Sequence, residues 1–236
     1  MGAARKSVFQ DGDSMPKTVL TDDERAQQDD RPDRLFYQKP RFVQHVDEQF
    51  RERLTDLYRE HLDAGDDVLD LMSSWVSHLP SEMRFDRVVG HGMNEDELAA
   101  NDRLTEHFVQ DLNETQVLPL EESTVDVVLC AVSVQYLQRP ERVFAEGARV
   151  LRPGGRFVVS FSNRMFAQKA IRAWRTARGP GRCRLVERYF AAVGAFCEPT
   201  TVRESPLVPP RQRVLGGAPD PFYAVHARTP EGRGPR

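Results

Sequence analysis

The stretch that decides the fold opens with Asp126-Val127-Val128-Leu129-Cys130-Ala131-Val132-Ser133-Val134-Gln135-Tyr136-Leu137. It continues through Glu141 to Leu151 and closes on Arg152-Pro153-Gly154-Gly155-Arg156-Phe157. The first part, Val125 to Val132, is apolar at every position but Asp126 and short enough for a strand buried on both faces. The second spans 140–150 and starts with Pro140, whose fixed φ suits the first turn of a helix. Gly154 and Gly155 then permit a left-handed turn that ends the helix, and Arg156 to Phe161 is again apolar. Strand, helix and strand in that order form a parallel β-α-β unit.

The same alternation extends upstream. Val68 to Met72, Arg87 to Gly90 and His107 to Gln110 read as three further strands, with helical stretches at about 74–79 and 95–100. Downstream, residues 164–178 and Arg188 to Phe196 look helical, and 197–203 and Phe222 to Arg228 look β-like. A proline- and glycine-rich loop from Pro206 to Gly217 joins the last two. Ahead of the alternation, apolar residues recur at steps of three and four from Phe42 to Leu62, which predicts one amphipathic helix stopped by Asp63-Ala64-Gly65. Residues 1–31 carry two acidic clusters and few apolar residues, so a disordered acidic tail is expected there. The expected organisation is one domain over 32–228, with an N-terminal helical cap at 32–64 and an α/β core at 65–228, and a polar tail at 229–236.

Composition narrows the function. The net charge of −3 gives no overall attraction to nucleic acid or anionic membrane. The longest strictly apolar run is the six residues Val127 to Val132, against roughly 20 needed to span a bilayer. Residues 1–7 contain no apolar signal-peptide core, and Cys130, Cys183 and Cys197 form no C-x-x-C pair. A cytoplasmic protein with reduced thiols is expected, with no metal site.

The ordered series Asp70, Asp111-Leu112, Leu118-Pro119-Leu120, Asp126 to Leu137 and Leu151-Arg152-Pro153-Gly154-Gly155 resembles the class I S-adenosylmethionine (SAM)-dependent methyltransferases over roughly 65–228. The resemblance implies a Rossmann-like, seven-stranded, mostly parallel sheet with helices on both faces and its last strand antiparallel. It implies SAM as cofactor, bound beyond the carboxyl ends of the strands.

The resemblance also assigns a site, residue by residue. At the first strand end, Asp70 matches the family's acid, while Met72, Ser74 and Val76 stand at its three glycine positions. The loop Met72-Ser73-Ser74 is then a non-glycine variant, whose hydroxyls suit a carboxylate or ribose. At the second strand end Gly92 falls where an acid would hold the ribose, so Asn94 or Glu95 is the substitute and Met93 would pack on adenine. Asp111 would accept from the adenine amino group, with the Leu112 N–H on the ring. Ser133 is the polar residue nearest the expected methyl donor, with Gln135 and Tyr136 flanking the acceptor. Tyr37 and Arg41, near the start of the N-terminal helix beside His45, would reach the SAM carboxylate.

The function implied is methyl transfer from SAM to a small-molecule acceptor. A basic series, Arg164, Lys169, Arg172, Arg175, Arg178, Arg182 and Arg184, is compatible with an anionic acceptor or a solvated face, and nucleic acid is not expected. The competing expectation is a methyltransferase-fold binding or scaffold protein that has lost transfer activity, because the loop glycines and the ribose acid are missing. A nicotinamide-dependent oxidoreductase would need G-x-G-x-x-G and a serine hydrolase G-x-S-x-G, and neither occurs.

Overall fold

The computed structural model describes residues 16–204 and 219–232. Its centre is a seven-stranded sheet in the order β3-β2-β1-β4-β5-β7-β6. The strands are β1 (Asp67–Asp70), β2 (Arg87–Gly92), β3 (Glu106–Val109), β4 (Val125–Ala131), β5 (Leu151–Phe161), β6 (Thr200–Glu204) and β7 (Phe222–Arg228). The first five pair in parallel, and β7 runs antiparallel between β5 and β6. The reversal of strand order between β1 and β4 opens a crevice at their carboxyl ends, the usual ligand position in such sheets.

Helices cover both faces. On one, α5 (Pro140–Val150) and α7 (Gly179–Val193) pack Phe144 and Phe190 against Phe157 of β5, with ring centroids 4.8 and 5.6 Å apart. On the other, α3 (Glu48–His61) buries Phe50, Leu54, Leu57 and Tyr58 with Val68, Val127 and Val158 of the sheet. Short helices α1 (Asp22–Arg25), α2 (Asp33–Phe36), α4 (Glu95–Ala99) and α6 (Arg172–Thr176) complete the set.

Four expectations are corrected. Residues 16–31 are not a disordered tail. Leu20 is buried in the core, Thr21 and Glu24 form a capping box, and Arg25 pairs with Glu141 at 2.6 Å. Composition missed this because the partners lie more than a hundred positions away. The amphipathic pattern from Phe42 begins its helix only at Glu48, where the Asp47 side chain accepts from the Phe50 N–H at 2.9 Å. Phe42 and Val43, counted in that pattern, are more than half exposed in an irregular segment. No helix forms at 74–79, and within 164–178 only Arg172–Thr176 is helical. Finally, the Pro153-Gly154-Gly155 turn sits inside β5 rather than before it. Leu151 pairs with Val125, the register shifts, and Arg156 then pairs with Val127, with Gly154 at φ +79°. The expected 206–217 loop lies outside the described residues, as do 1–15 and 233–236. Thr229 and Pro230 of the expected polar tail hydrogen-bond to Gly155 and Gly154.

Candidate functional site

One cleft, of about 290 Å³, lies beyond the carboxyl ends of β1, β2 and β4. Its walls include Tyr37, Arg41, Asp70, Met72, Ser73, Ser74, Gly92, Met93, Asn94, Asp111, Leu112 and Ser133. Twelve residues drawn from five chain segments thus share one cavity. Their local roles differ from what the sequence suggests.

The loop after β1 does without glycine by a network of side-chain bonds. Met72 adopts φ +58°, the left-handed region that glycine ordinarily fills. Its N–H donates to Nδ1 of His91 at 3.0 Å, and Nε2 of the same ring lies 3.0 Å from the Gln110 carbonyl. Burial holds the His91 pKa down to about 4, so the ring is neutral, accepting at Nδ1 and donating at Nε2. The Ser73 hydroxyl donates to Asp70 at 2.6 Å, and the Ser74 hydroxyl to Glu97 at 2.5 Å. Asn101 closes the loop from outside, donating to the Ser74 carbonyl and the Ser77 hydroxyl. Both serine hydroxyls are therefore engaged within the protein.

Asp70 is buried, and burial raises its pKa to about 6 against the hydrogen bonds from Ser73 and Ser77. Asp111 is raised by burial as well, and its Oδ1 accepts from the Asn113 N–H at 2.8 Å, so it also caps the turn after β3.

At the second strand end Asn94 lines the cleft and Glu95 does not. Asn94 caps α4 through the Glu97 N–H and donates to the carbonyls of Tyr37 and Gln38. Glu95 pairs with His107, away from the cleft. The acid in the cleft is Glu97, which sequence reading missed. Its signal was present: Asn94 and Glu97 are spaced as helix cap and first-turn acid directly after β2. Its carboxylate accepts from Ser74 and from the Arg41 N–H at 2.7 Å.

Arg41 and His45, expected near the start of the N-terminal helix, precede it: α3 begins only at Glu48. The Arg41 guanidinium stands over Phe36, Phe166 and Tyr37, with its carbon 4.5, 5.3 and 5.8 Å from their centroids, and donates to the Phe36 carbonyl. Tyr136 stacks on Phe166 and accepts from its N–H at 2.9 Å. Gln135 is fully buried and does not border the cleft. Val132, in the cleft wall, holds φ +52°, a strained conformation for a β-branched residue.

The basic series is not one face. Lys169 is fully buried, 2.9 Å from Asp33 Oδ1, and Arg182 is buried too. Arg164 pairs with Asp220 and Arg172 with Asp23, while Arg175 donates to backbone carbonyls. Arg178 and Arg184 are exposed outside the cleft. The expected anionic-acceptor site on this series is therefore not assembled.

Sheet order and switch-point crevice are those of the class I SAM-dependent methyltransferase fold. Residues 73–159 match the family model described as a methyltransferase domain. A malonyl-[acyl-carrier protein] O-methyltransferase of Hahella chejuensis is 30% identical over 148 residues, covering 60% of this chain and 50% of that protein. The chain thus spans half the length of this relative. Among solved structures, Haemonchus contortus phosphoethanolamine N-methyltransferase 2 with SAM aligns at TM-score 0.55 and 14% identity, over 76% of this chain and 52% of that one. A SAM-dependent methyltransferase from Mesorhizobium loti aligns at 0.50 and 18%, over 73% and 96%. These two likenesses concern the fold.

SAM is the cofactor of this class, and the donor set of the cleft suits it. Asp70, Glu97 and Asp111 offer carboxylates to a cation and to hydroxyl and amino donors, and Arg41 offers a guanidinium. Met72, Met93 and Leu112 supply apolar surface. Among the described residues, no helix is long and apolar enough to cross a membrane.

Proposed function

We propose that this protein methylates a small-molecule acceptor, using SAM held in the cleft. The observation that carries the proposal is the convergence of Asp70, Glu97 and Asp111 with Arg41 in one cavity at the switch point of the sheet. Asp111 and the Leu112 N–H would hold adenine. Glu97 would take the ribose hydroxyls, in the place where Gly92 and Asn94 cannot. Asp70, with Ser73 and Ser133, would hold the amino group, and Arg41 with Tyr37 the carboxylate. Met72 and Met93 would pack on the nucleoside.

Bound SAM supplies an activated methyl group on a sulfonium, open to direct displacement by an acceptor lone pair. The chain's task is alignment and exclusion of water. Arg41, on the segment 39–47, covers the cleft while its N–H is tied to Glu97. The three carboxylates give the cavity a negative potential that favours a cationic donor over its neutral product.

One observation supports the reading of a fold that has lost transfer. The hydroxyls of Ser73 and Ser74 are committed to Asp70 and Glu97. Calorimetric titration with SAM and its demethylated product separates the two. The transfer reading expects binding well below millimolar. No heat at roughly millimolar ligand, about −4 kcal/mol, would leave the scaffold reading.

A further inference from the structure

The mouth of the cleft carries an apolar ledge that neither the cofactor site nor the core uses. Phe42 and Val43 are consecutive and 52% and 54% exposed. The Trp75 indole N–H donates to the Val43 carbonyl at 3.3 Å, which fixes its ring edge-on to Phe42 with centroids 6.3 Å apart. Val43 and Trp75 also line the cleft, so the ledge is continuous with its wall. Further in, the wall remains aromatic: the His45 ring stands edge-on to Phe166 at 5.3 Å, and Phe166 stacks on Tyr136.

Charge limits what can lie there. Of the two arginines lining the cleft, Arg41 is the one assigned above to the SAM carboxylate, and Arg164 is paired with Asp220. Lys169 is buried against Asp33 and does not line the cleft. The carboxylates of Asp70, Glu97 and Asp111 stand in the same cavity. An anionic acceptor would meet those acids without a free cation to offset them.

We infer that the methyl acceptor is an uncharged molecule with an apolar or aromatic body, docked on the Phe42–Val43–Trp75 ledge with its nucleophile directed into the cleft. This rests on the transfer reading above. Only a pre-fixed ledge is asked of the protein, so little side-chain ordering opposes binding.

The test uses the full chain saturated with S-adenosylhomocysteine and two probes of the same ring system, 2-naphthol and 2-naphthalenesulfonate, titrated by calorimetry. Naphthol is expected to bind, and the sulfonate at least about tenfold more weakly. Phe42→Ser, at an exposed position, should weaken naphthol about tenfold while leaving S-adenosylhomocysteine affinity unchanged. Equal or tighter binding of the sulfonate overturns the charge argument. No naphthol binding beside a bound nucleoside, or no effect of Phe42→Ser, overturns the ledge. If S-adenosylhomocysteine itself does not bind, the transfer reading fails, and naphthol titrated into the nucleoside-free chain reports on the ledge separately.

Discussion

The carbonyl oxygen of Ser73 lies 2.7 Å from where a Cβ on Gly92 would stand. The loop after β1 thus folds directly over the end of β2, and its Ser73 N–H donates to the His91 carbonyl at 2.6 Å. An acid cannot occupy position 92 while the loop keeps this path. The missing ribose acid and the missing loop glycines are therefore one structural fact rather than two losses. Gly92→Ala should destabilise the protein by about 1–3 kcal/mol, because the obstructing atom is backbone. Gly92→Asp should cost more and fail to tighten SAM. Glu97→Gln should instead weaken SAM about tenfold, or about 1.4 kcal/mol, with little change in Tm. Denaturation and calorimetry on the three variants check this, and tighter SAM binding by Gly92→Asp would falsify it.

The His91 ring carries the left-handed Met72 by accepting its N–H, and that bond requires the neutral form. The folded-state pKa is depressed from 6.5 to about 4. The stability is fully present above 6.5 and is lost as pH falls through about 4, by roughly 3 kcal/mol for this residue. His78 and His226, likewise lowered to about 4 by burial, act in the same direction. His91→Phe should cost of order 3 kcal/mol at neutral pH, since the Met72 N–H and Gln110 carbonyl lose their partner. It should also flatten part of the acid limb of the stability profile. An acid limb as steep as the parent's would show that His91 does not titrate as described.

The strands and their alternation with helices were legible because each strand is a short apolar run and the helix before β5 has its own start and stop residues. Strand order was not legible in the residues and came with the resemblance. That the strand ends line one cleft was legible, but the hydrogen-bond partners of the residues there were not. Asn94, expected as a ligand, lines the cleft and also caps α4; Glu97, which the sequence reading passed over, lines the cleft too. The acidic segment 16–31 was misread because its stabilising partners, Glu141, Lys169 and Arg172, are remote in sequence. Lys169 itself read as surface charge, since composition cannot distinguish a solvated lysine from one enclosed by a folded-back segment.

Asp70 titrates in the opposite sense to the histidines. Its folded-state pKa is raised from 3.8 to about 6, chiefly by burial. The stability it contributes is fully present below 3.8 and is lost as pH rises through about 6, by roughly 3 kcal/mol. Asp70→Asn should keep the Ser73 hydroxyl bond and remove this loss, so the variant should be more stable than the parent at pH 8 and similar at pH 4. The same change removes the carboxylate proposed above to hold the amino group of SAM, so affinity should fall as stability rises. Chemical denaturation at the two pH values and a SAM titration measure both. A parent whose stability does not decline relative to Asp70→Asn between pH 4 and 8 would contradict the assignment.

Lys169 ties the N-terminal segment to the site. Its ammonium lies 2.9 Å from Asp33 Oδ1, and donates to the carbonyls of Asp29 and Arg31 at 3.0 and 2.6 Å. Asp33 in turn accepts from Asn113 Nδ2 at 2.8 Å, and Asn113 also caps onto Tyr136 and receives the Gln138 N–H. The chain from Lys169 through Asp33 to Asn113 therefore ends one turn from Asp111 in the cleft. Lys169→Met removes one partner of a buried pair and should cost about 3–5 kcal/mol, leaving Asp33 charged and unmatched. Adding Asp33→Asn should recover part of that cost, because the amide needs no counter-charge and can still accept from Asn113. Release of residues 16–36 should appear as new cleavage in limited proteolysis of Lys169→Met, along with weaker SAM binding as Asn113 loses its anchor. A Lys169→Met variant that keeps both the parental cleavage pattern and the parental SAM affinity would mean that the segment is held by Arg25–Glu141 and Leu20 alone, with no link from the strap to the cleft.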